Sequence, residues 1–191
     1  MTKIILASAS PRRKELMALL PWSYEVQTQE VDETIDSNLS LEKNVKALAL
    51  KKALAVASTN PDCIIIGADT MVCIDDQLLG KPKDDKEATK MLMKLSGRKH
   101  QVLSGVAIIW KDQNVQCTFC EKTDVKMQML KQDEIMDYIK TKEGIDKAGS
   151  YAIQGYGARY IEGIEGDYFN VVGLPVHKVY SHLKELVDRS Y

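Results

Sequence analysis

Cys63-Ile-Ile-Ile-Gly-Ala-Asp-Thr70 sets the frame for the rest of the chain. Residues 63–66 form a short, continuous apolar run closed by Gly67. That pattern is expected of a strand buried on both faces. Asp69 is then expected at the strand's C-terminal end, where open α/β sheets collect their ligands. A carboxylate beside such a core is costly unless a cation or a metal compensates it. Asp69 is therefore the first candidate for chemistry, and the alternative is an aspartate that caps a turn.

Upstream, residues 3–8 read as another buried strand, followed by Ser8-Ala-Ser10-Pro11-Arg12-Arg13. Pro11 suits a first helical turn with Ser10 as its N-cap. The helix is expected to run to about Leu20, with Leu16, Leu19 and Leu20 inward and a stop at Pro21. Ser8, Ser10, Arg12 and Arg13 thus share one strand-to-helix turn. This is either an anion site of hydroxyls and guanidinium donors or a plain cap on a solvated helix. It lacks the glycines of a Walker A loop. Tyr24 and Val26 suggest a strand, and Glu30, Asp32 and Glu33 make an acidic segment after it. A helix is expected over 40–58 with Ser40 as N-cap and a stripe of Leu41, Val45, Leu48, Ala49 and Val56. Lys52 lies within that stripe, where it either snorkels to water or faces a buried anion. Lys51 lies off the stripe and reads as solvated.

Downstream, Asp75-Asp76-Gln77 is a turn and Lys81 sits rigidly between Gly80 and Pro82. Ala88, Met91, Leu92 and Leu95 mark a helix ended by Gly97. Residues 100–110 and 115–129 read as an antiparallel pair, the first buried on both faces. A helix follows from about Gln132 to Thr141. The Gly149, Gly155 and Gly157 region is a loop presenting Gln154, an amide able to read a hydrogen-bonding edge. A strand is expected over 158–164, and Val176, Val179, Tyr180, Leu183 and Val187 mark a last inward-facing helix.

The composition of the 191 residues is that of an ordinary globular protein, 45% hydrophobic and 28% charged. A net charge of -1 gives no global field for nucleic acid. No apolar run reaches the roughly 18 residues of a membrane span, and the N-terminal apolar run is too short for a signal peptide. A cytoplasmic protein without nucleic-acid or membrane partners is expected. Cys117 and Cys120 have CxxC spacing, but on a strand their side chains point to opposite faces, so reduced structural thiols are expected. His100, His177 and His182 do not cluster as a zinc site would.

Arg12, Arg13, Lys52 and Lys81 with the hydroxyls of Ser8 and Ser10 suit a polyphosphate. Glu33 and Asp69 suit a hard divalent cation. Together they point to phosphoanhydride hydrolysis without a covalent intermediate.

Nine segments, taken in order, resemble the Maf family of nucleoside triphosphate pyrophosphatases: Ser8-Ala-Ser-Pro-Arg-Arg13, Val31-Asp-Glu33, Leu48-Ala-Leu-Lys-Lys-Ala53, Gly67-Ala-Asp-Thr70, Gly80-Lys-Pro82, Leu95-Ser-Gly97, Asp146-Lys-Ala-Gly149, Ile153-Gln-Gly155 and Val172-Gly-Leu-Pro175. The resemblance implies one α/β domain over 1–191, with an elongated mixed sheet flanked by helices and two lobes around a cleft. This is the fold shared with inosine triphosphate pyrophosphatases. It implies cleavage between the α and β phosphates with a divalent metal, Mg²⁺ or Mn²⁺. It casts Asp69 as proton acceptor, Glu33, Lys52 and Lys81 as active-site partners, and Ser8 and Arg13 as the phosphate-binding turn. Which of Glu33 and Asp69 holds metal is left open.

Arg12, Thr70 and Gln154 match the branch similar to dTTP/UTP pyrophosphatases; the branch preferring 7-methyl-GTP carries Trp, Gln and Glu there. A neutral Gln both donates and accepts, as a uracil or thymine edge requires. The resemblance admits a homodimer, and it also suggests an alternative role as a nucleotide-binding regulator of septum formation.

Overall fold

The computed structural model describes residues 2–188. Its strands are β1 (Ile4–Leu6), β2 (Tyr24–Val26), β3 (Ile64–Ile74), β4 (Gln77–Leu79), β5 (Lys99–Trp110), β6 (Val115–Met127) and β7 (Ile161–Glu165). They form a seven-stranded mixed sheet in the order β2-β1-β3-β5-β6-β7, with β4 paired to β3. β1 is parallel to both β2 and β3, while β3–β4 and β6–β7 are antiparallel. The helices are α1 (Pro11–Met17), α2 (Leu41–Ala57), α3 (Asp85–Leu95), α4 (Gln132–Lys140), α5 (Tyr168–Val172) and α6 (Val176–Asp188).

The chain divides into two compact units. The first comprises the chain up to Asp69, Ser104–Glu121 and the chain from Gly173. Its core sets Ala49, Ala53, Val56 and Ala57 of α2 against Ile5, Ile65, Ala107 and Ile109 of the sheet and Ala7 just past β1. Two glycines let that helix lie close. A Cβ on Gly67 would stand 2.3 Å from the Ala49 carbonyl oxygen, and one on Gly105 2.3 Å from that of Val45. The second unit comprises Thr70–Leu103 and Lys122–Val172. Leu92 and Leu95 of α3 and Ile135, Tyr138 and Ile139 of α4 pack there on Val72, Val102, Val125 and Met127.

Four local expectations are corrected. β3 does not end at Asp69; Met71, Val72, Cys73 and Ile74 are buried and carry it to Ile74, so Asp69 lies within the strand. Leu19 is 62% exposed. α1 ends at Met17, and Leu19 N and Leu20 N bond back to Leu16 O and Met17 O. This tightened turn breaks the helical phase, and Met17 is buried instead. The strand expected from residue 158 begins at Ile161, because Gly155–Tyr160 is a 3-10 turn. Tyr180, expected inward on the last helix, is 36% exposed. α5, only five residues long, carries no periodic signal from which it could be expected.

Candidate active site

β1 pairs with β3 only as far as Leu6 opposite Ile66, with one further bond from Ala7 N to Ile66 O at 2.8 Å. Past that point β3 continues without β1. Asp69 and Thr70 are the only half-buried positions in a strand otherwise buried throughout. Asp69 therefore does lie beyond a strand's carboxyl end, but the strand is β1, its neighbour.

Lys52 settles between its two alternatives. Its Nζ lies 2.7 Å from Asp69 Oδ1 and 2.7 Å from Glu33 Oε1. The Lys52 and Asp69 side chains are only 16% and 14% exposed, so the pair is largely shielded; Glu33 is 60% exposed. The stripe that buries Ala49, Ala53 and Val56 carries the lysine stem toward the sheet, and the close seat at Gly67 sets how near it comes.

Glu33 arrives from an irregular segment, 27–40, pinned by side chains. Asp32 Oδ1 accepts from Thr34 N at 2.9 Å, making an Asx turn around Glu33. The Thr34 hydroxyl and N–H hold the Asp32 carboxyl below its ordinary range. Asn44, buried on α2, accepts from Asp36 N and donates to Asp36 O, both at 2.9 Å. Lys51 is exposed as expected, yet it also donates to Asp32 O at 3.2 Å. Nothing in the local sequence marked Asn44 for this role, because its partner lies in a segment with no periodicity.

The Ser8–Arg13 turn is also assembled. Ser10 Oγ caps α1 by accepting from Arg13 N at 3.5 Å. Ser8 Oγ accepts from Ser10 N at 3.3 Å and from Arg13 Nη1 at 3.2 Å. Arg13 Nε donates to Gly173 O at 2.9 Å, which fixes the plane of the guanidinium. Desolvation lowers the Arg13 pKa, and the Asp69 charge opposes that shift more than Glu33 does; Arg12 adds to the lowering. Arg13 is thus within electrostatic range of both carboxylates. Arg12, the next residue along, is half-buried.

Thr70, Lys81 and Gln154 belong to the second unit. Thr70 follows Asp69 along β3 and is half-buried, while Lys81 and Gln154 are exposed. The Gly80–Pro82 segment is tied to the 149 loop, where Gly149 N donates to Gly80 O at 3.1 Å. Cys117 and Cys120 are free, and burial pushes the Cys120 thiol up to about 11, which suits structural thiols.

One ammonium between two carboxylates leaves a formal charge of -1 on the Lys52–Glu33–Asp69 group. Two hard oxygen donors with a residual negative charge fit a divalent cation of the Mg²⁺ type. Such a cation takes one or two carboxylates and completes its shell with water and substrate phosphates. No cluster of three or more Asp, Glu, His or Cys suited to a metal occurs among the described residues, so a purely protein-built cage is not offered. No helix among them is long and apolar enough to cross a membrane.

Residues 3–186 match the family described as Maf-like protein. A protein of Bacillus velezensis named dTTP/UTP pyrophosphatase is 53% identical over 97% of this chain and 97% of its own. One of Bacillus pumilus with the same name is 52% identical over 93% of each chain. Among solved structures, the Staphylococcus aureus Ham1 protein matches with a TM-score of 0.49 and 17% identity, over 66% of this chain and 72% of that one.

Proposed function

Because the chain belongs to the Maf family, we propose that it is a cytoplasmic pyrophosphatase that hydrolyses dTTP and UTP to the monophosphate and pyrophosphate. The observation that carries this is Lys52 Nζ at 2.7 Å from both Asp69 and Glu33. A shielded carboxylate, a cation bridged to it and an oriented guanidinium are the parts that phosphoanhydride hydrolysis needs. The names of relatives at 53% and 52% identity support the choice of substrate.

In this mechanism Asp69 orients the attacking water and takes its proton. Lys52 keeps that carboxylate aimed by a short charge-assisted bond. The ammonium and the Arg13 guanidinium then balance charge on the departing pyrophosphate. Ser8 and Gly173 O hold the guanidinium plane, so it needs no reorganisation at the moment of reaction. Ser10 and Arg12 complete the phosphate contacts, and Lys81 is assigned the active-site role that the family resemblance implies. Glu33 and Asp69 would hold a divalent cation, which when bound supplies further neutralisation of phosphate charge. Thr70 and Gln154 are assigned to the base, with the Gln154 amide both donating to and accepting from a thymine or uracil edge.

The test is pyrophosphate release from a nucleotide panel in Mg²⁺. Turnover of dTTP and UTP well above 7-methyl-GTP is expected. Brisk 7-methyl-GTP turnover with dTTP and UTP untouched would overturn the assignment of Arg12, Thr70 and Gln154.

A further inference from the structure

Resting on the assignment of Gln154 to the base, we propose that Glu143 is a positioning residue for substrate selectivity, its carboxylate holding in place the turn that presents Gln154. Glu143 follows α4 and acts through that turn rather than on the nucleotide itself. Its Oε1 accepts from Tyr156 N at 2.8 Å, and its Oε2 accepts from Gly157 N at 2.9 Å. The Tyr138 hydroxyl donates to Oε2 at 2.8 Å and itself accepts from Ala152 N at 3.0 Å. Tyr138 is 1% exposed, and burial followed by the bond to Glu143 raises its phenol pKa, so it stays protonated and donating. The backbone on both sides of Gln154, at 152 and at 156–157, is therefore fastened to one Tyr138–Glu143 pair.

Two glycines fit this turn, one by its left-handed backbone and one by a close carbonyl. Gly155 has φ +69°, and a Cβ there would stand 2.0 Å from Glu143 Oε1. A Cβ on Gly157 would stand 2.1 Å from Ala152 O. Gln154 is the N-cap of the 3-10 turn Gly155–Tyr160, but its side chain makes no capping bond. Glu143 supplies those acceptors from another element, so the exposed Gln154 amide is not consumed by its own turn. An ionised carboxylate receiving two backbone N–H groups and a phenol makes charge-assisted bonds, stronger than neutral ones.

The experiment measures kcat and KM for dTTP and for dATP in Glu143→Ala, Glu143→Gln and Gln154→Ala. Loss of bonds to a charged acceptor is expected to raise the KM for dTTP at least tenfold in Glu143→Ala, with kcat held within about threefold. The dTTP-to-dATP preference should fall in parallel with Gln154→Ala. Glu143→Gln is isosteric and keeps one acceptor oxygen, so its KM should lie between wild type and Glu143→Ala; it also carries the test if the alanine variant does not fold. If Gln154→Ala loses the preference while both Glu143 variants keep it, the positioning role is wrong and the assignment of Gln154 stands. If Gln154→Ala itself keeps the preference, that assignment fails and the role of Glu143 falls with it. A drop in kcat with KM and preference intact in the Glu143 variants would also overturn the proposal.

Discussion

Gly67→Ala should damage the site without touching a charged residue. The added Cβ would lie 2.3 Å from Ala49 O, 2.8 Å from Ala53 N and 2.9 Å from Ala53 Cβ. Ordinary contact begins at 3.4 Å, so α2 must back away by about 1.1 Å, and the obstacles are backbone atoms rather than a flexible side chain. Lys52 rides on that helix. If its Nζ moves with the backbone, the 2.7 Å bond to Asp69 opens by that same shift to about 3.8 Å, beyond hydrogen-bond range. Overpacking of this kind costs about 1–3 kcal/mol, and the rigid obstacles favour the upper end. For a chain of this size that corresponds to a fall in Tm of roughly 6–12 °C. A displacement of about 1 Å in a positioned group should lower dTTP turnover by about 10- to 100-fold. The assay is thermal unfolding alongside steady-state pyrophosphate release. Gly163→Ala, where nothing lies within 4 Å of the new Cβ, is the control and should leave both unchanged. If Gly67→Ala matches wild type in Tm and turnover, the close helix seat does not set the Lys52–Asp69 geometry.

Lys52→Met should lower kcat for dTTP at least about 100-fold while the secondary structure by circular dichroism persists; activity within tenfold of wild type would contradict the role of the ammonium. It should also cost about 3–5 kcal/mol in urea unfolding, the penalty of leaving a largely buried carboxylate without its partner. Stability should fall in acid through His100, which is 2% exposed and donates to or accepts from the Tyr151 hydroxyl at 2.7 Å. Burial pushes its pKa down from 6.5 to about 4, against a weaker upward pull from Asp124. The unfolded chain therefore binds the proton first. The stabilisation is complete above pH 6.5 and is lost as pH falls toward 4, by about 3 kcal/mol for His100 alone. Urea midpoints at pH 7 and pH 4 in wild type and His100→Gln should show a shallower acid loss in the variant, and identical losses would refute this.

Much of the frame was legible because it rests on local patterns. Apolar runs marked β1 and β3, and helical stripes marked α2, α3 and α4. Lys52 could be singled out because a lysine inside an apolar stripe must find water or an anion. Which anion it finds depends on long-range packing, so the pairing of Lys52 with Glu33 was not legible, although Glu33 could be offered with Asp69 as a carboxylate for a divalent cation. Gly67 looked like a strand terminator because glycine usually punctuates. Its role, admitting the backbone of α2, requires knowing that a helix lies 2.3 Å from its missing Cβ. The same uncertainty hid the true length of β3, since Gly67, Ala68, Asp69 and Thr70 interrupt the apolar run that resumes at Met71. Glu143 went unnoticed because a lone glutamate after a helix is ordinarily solvated, and its meaning lies in three hydrogen bonds, one of them from Tyr138 of the helix before it.

In the proposed mechanism the Asp69 carboxylate, held by Lys52, performs the hydrolysis. Pyrophosphate release from dTTP in Mg²⁺ by Asp69→Asn is the decisive measurement, because the amide keeps the size of the side chain while removing its basicity. Turnover should fall by about 1,000-fold or more while nucleotide binding and thermal unfolding remain measurable. Turnover within tenfold of wild type would place the chemistry on another residue.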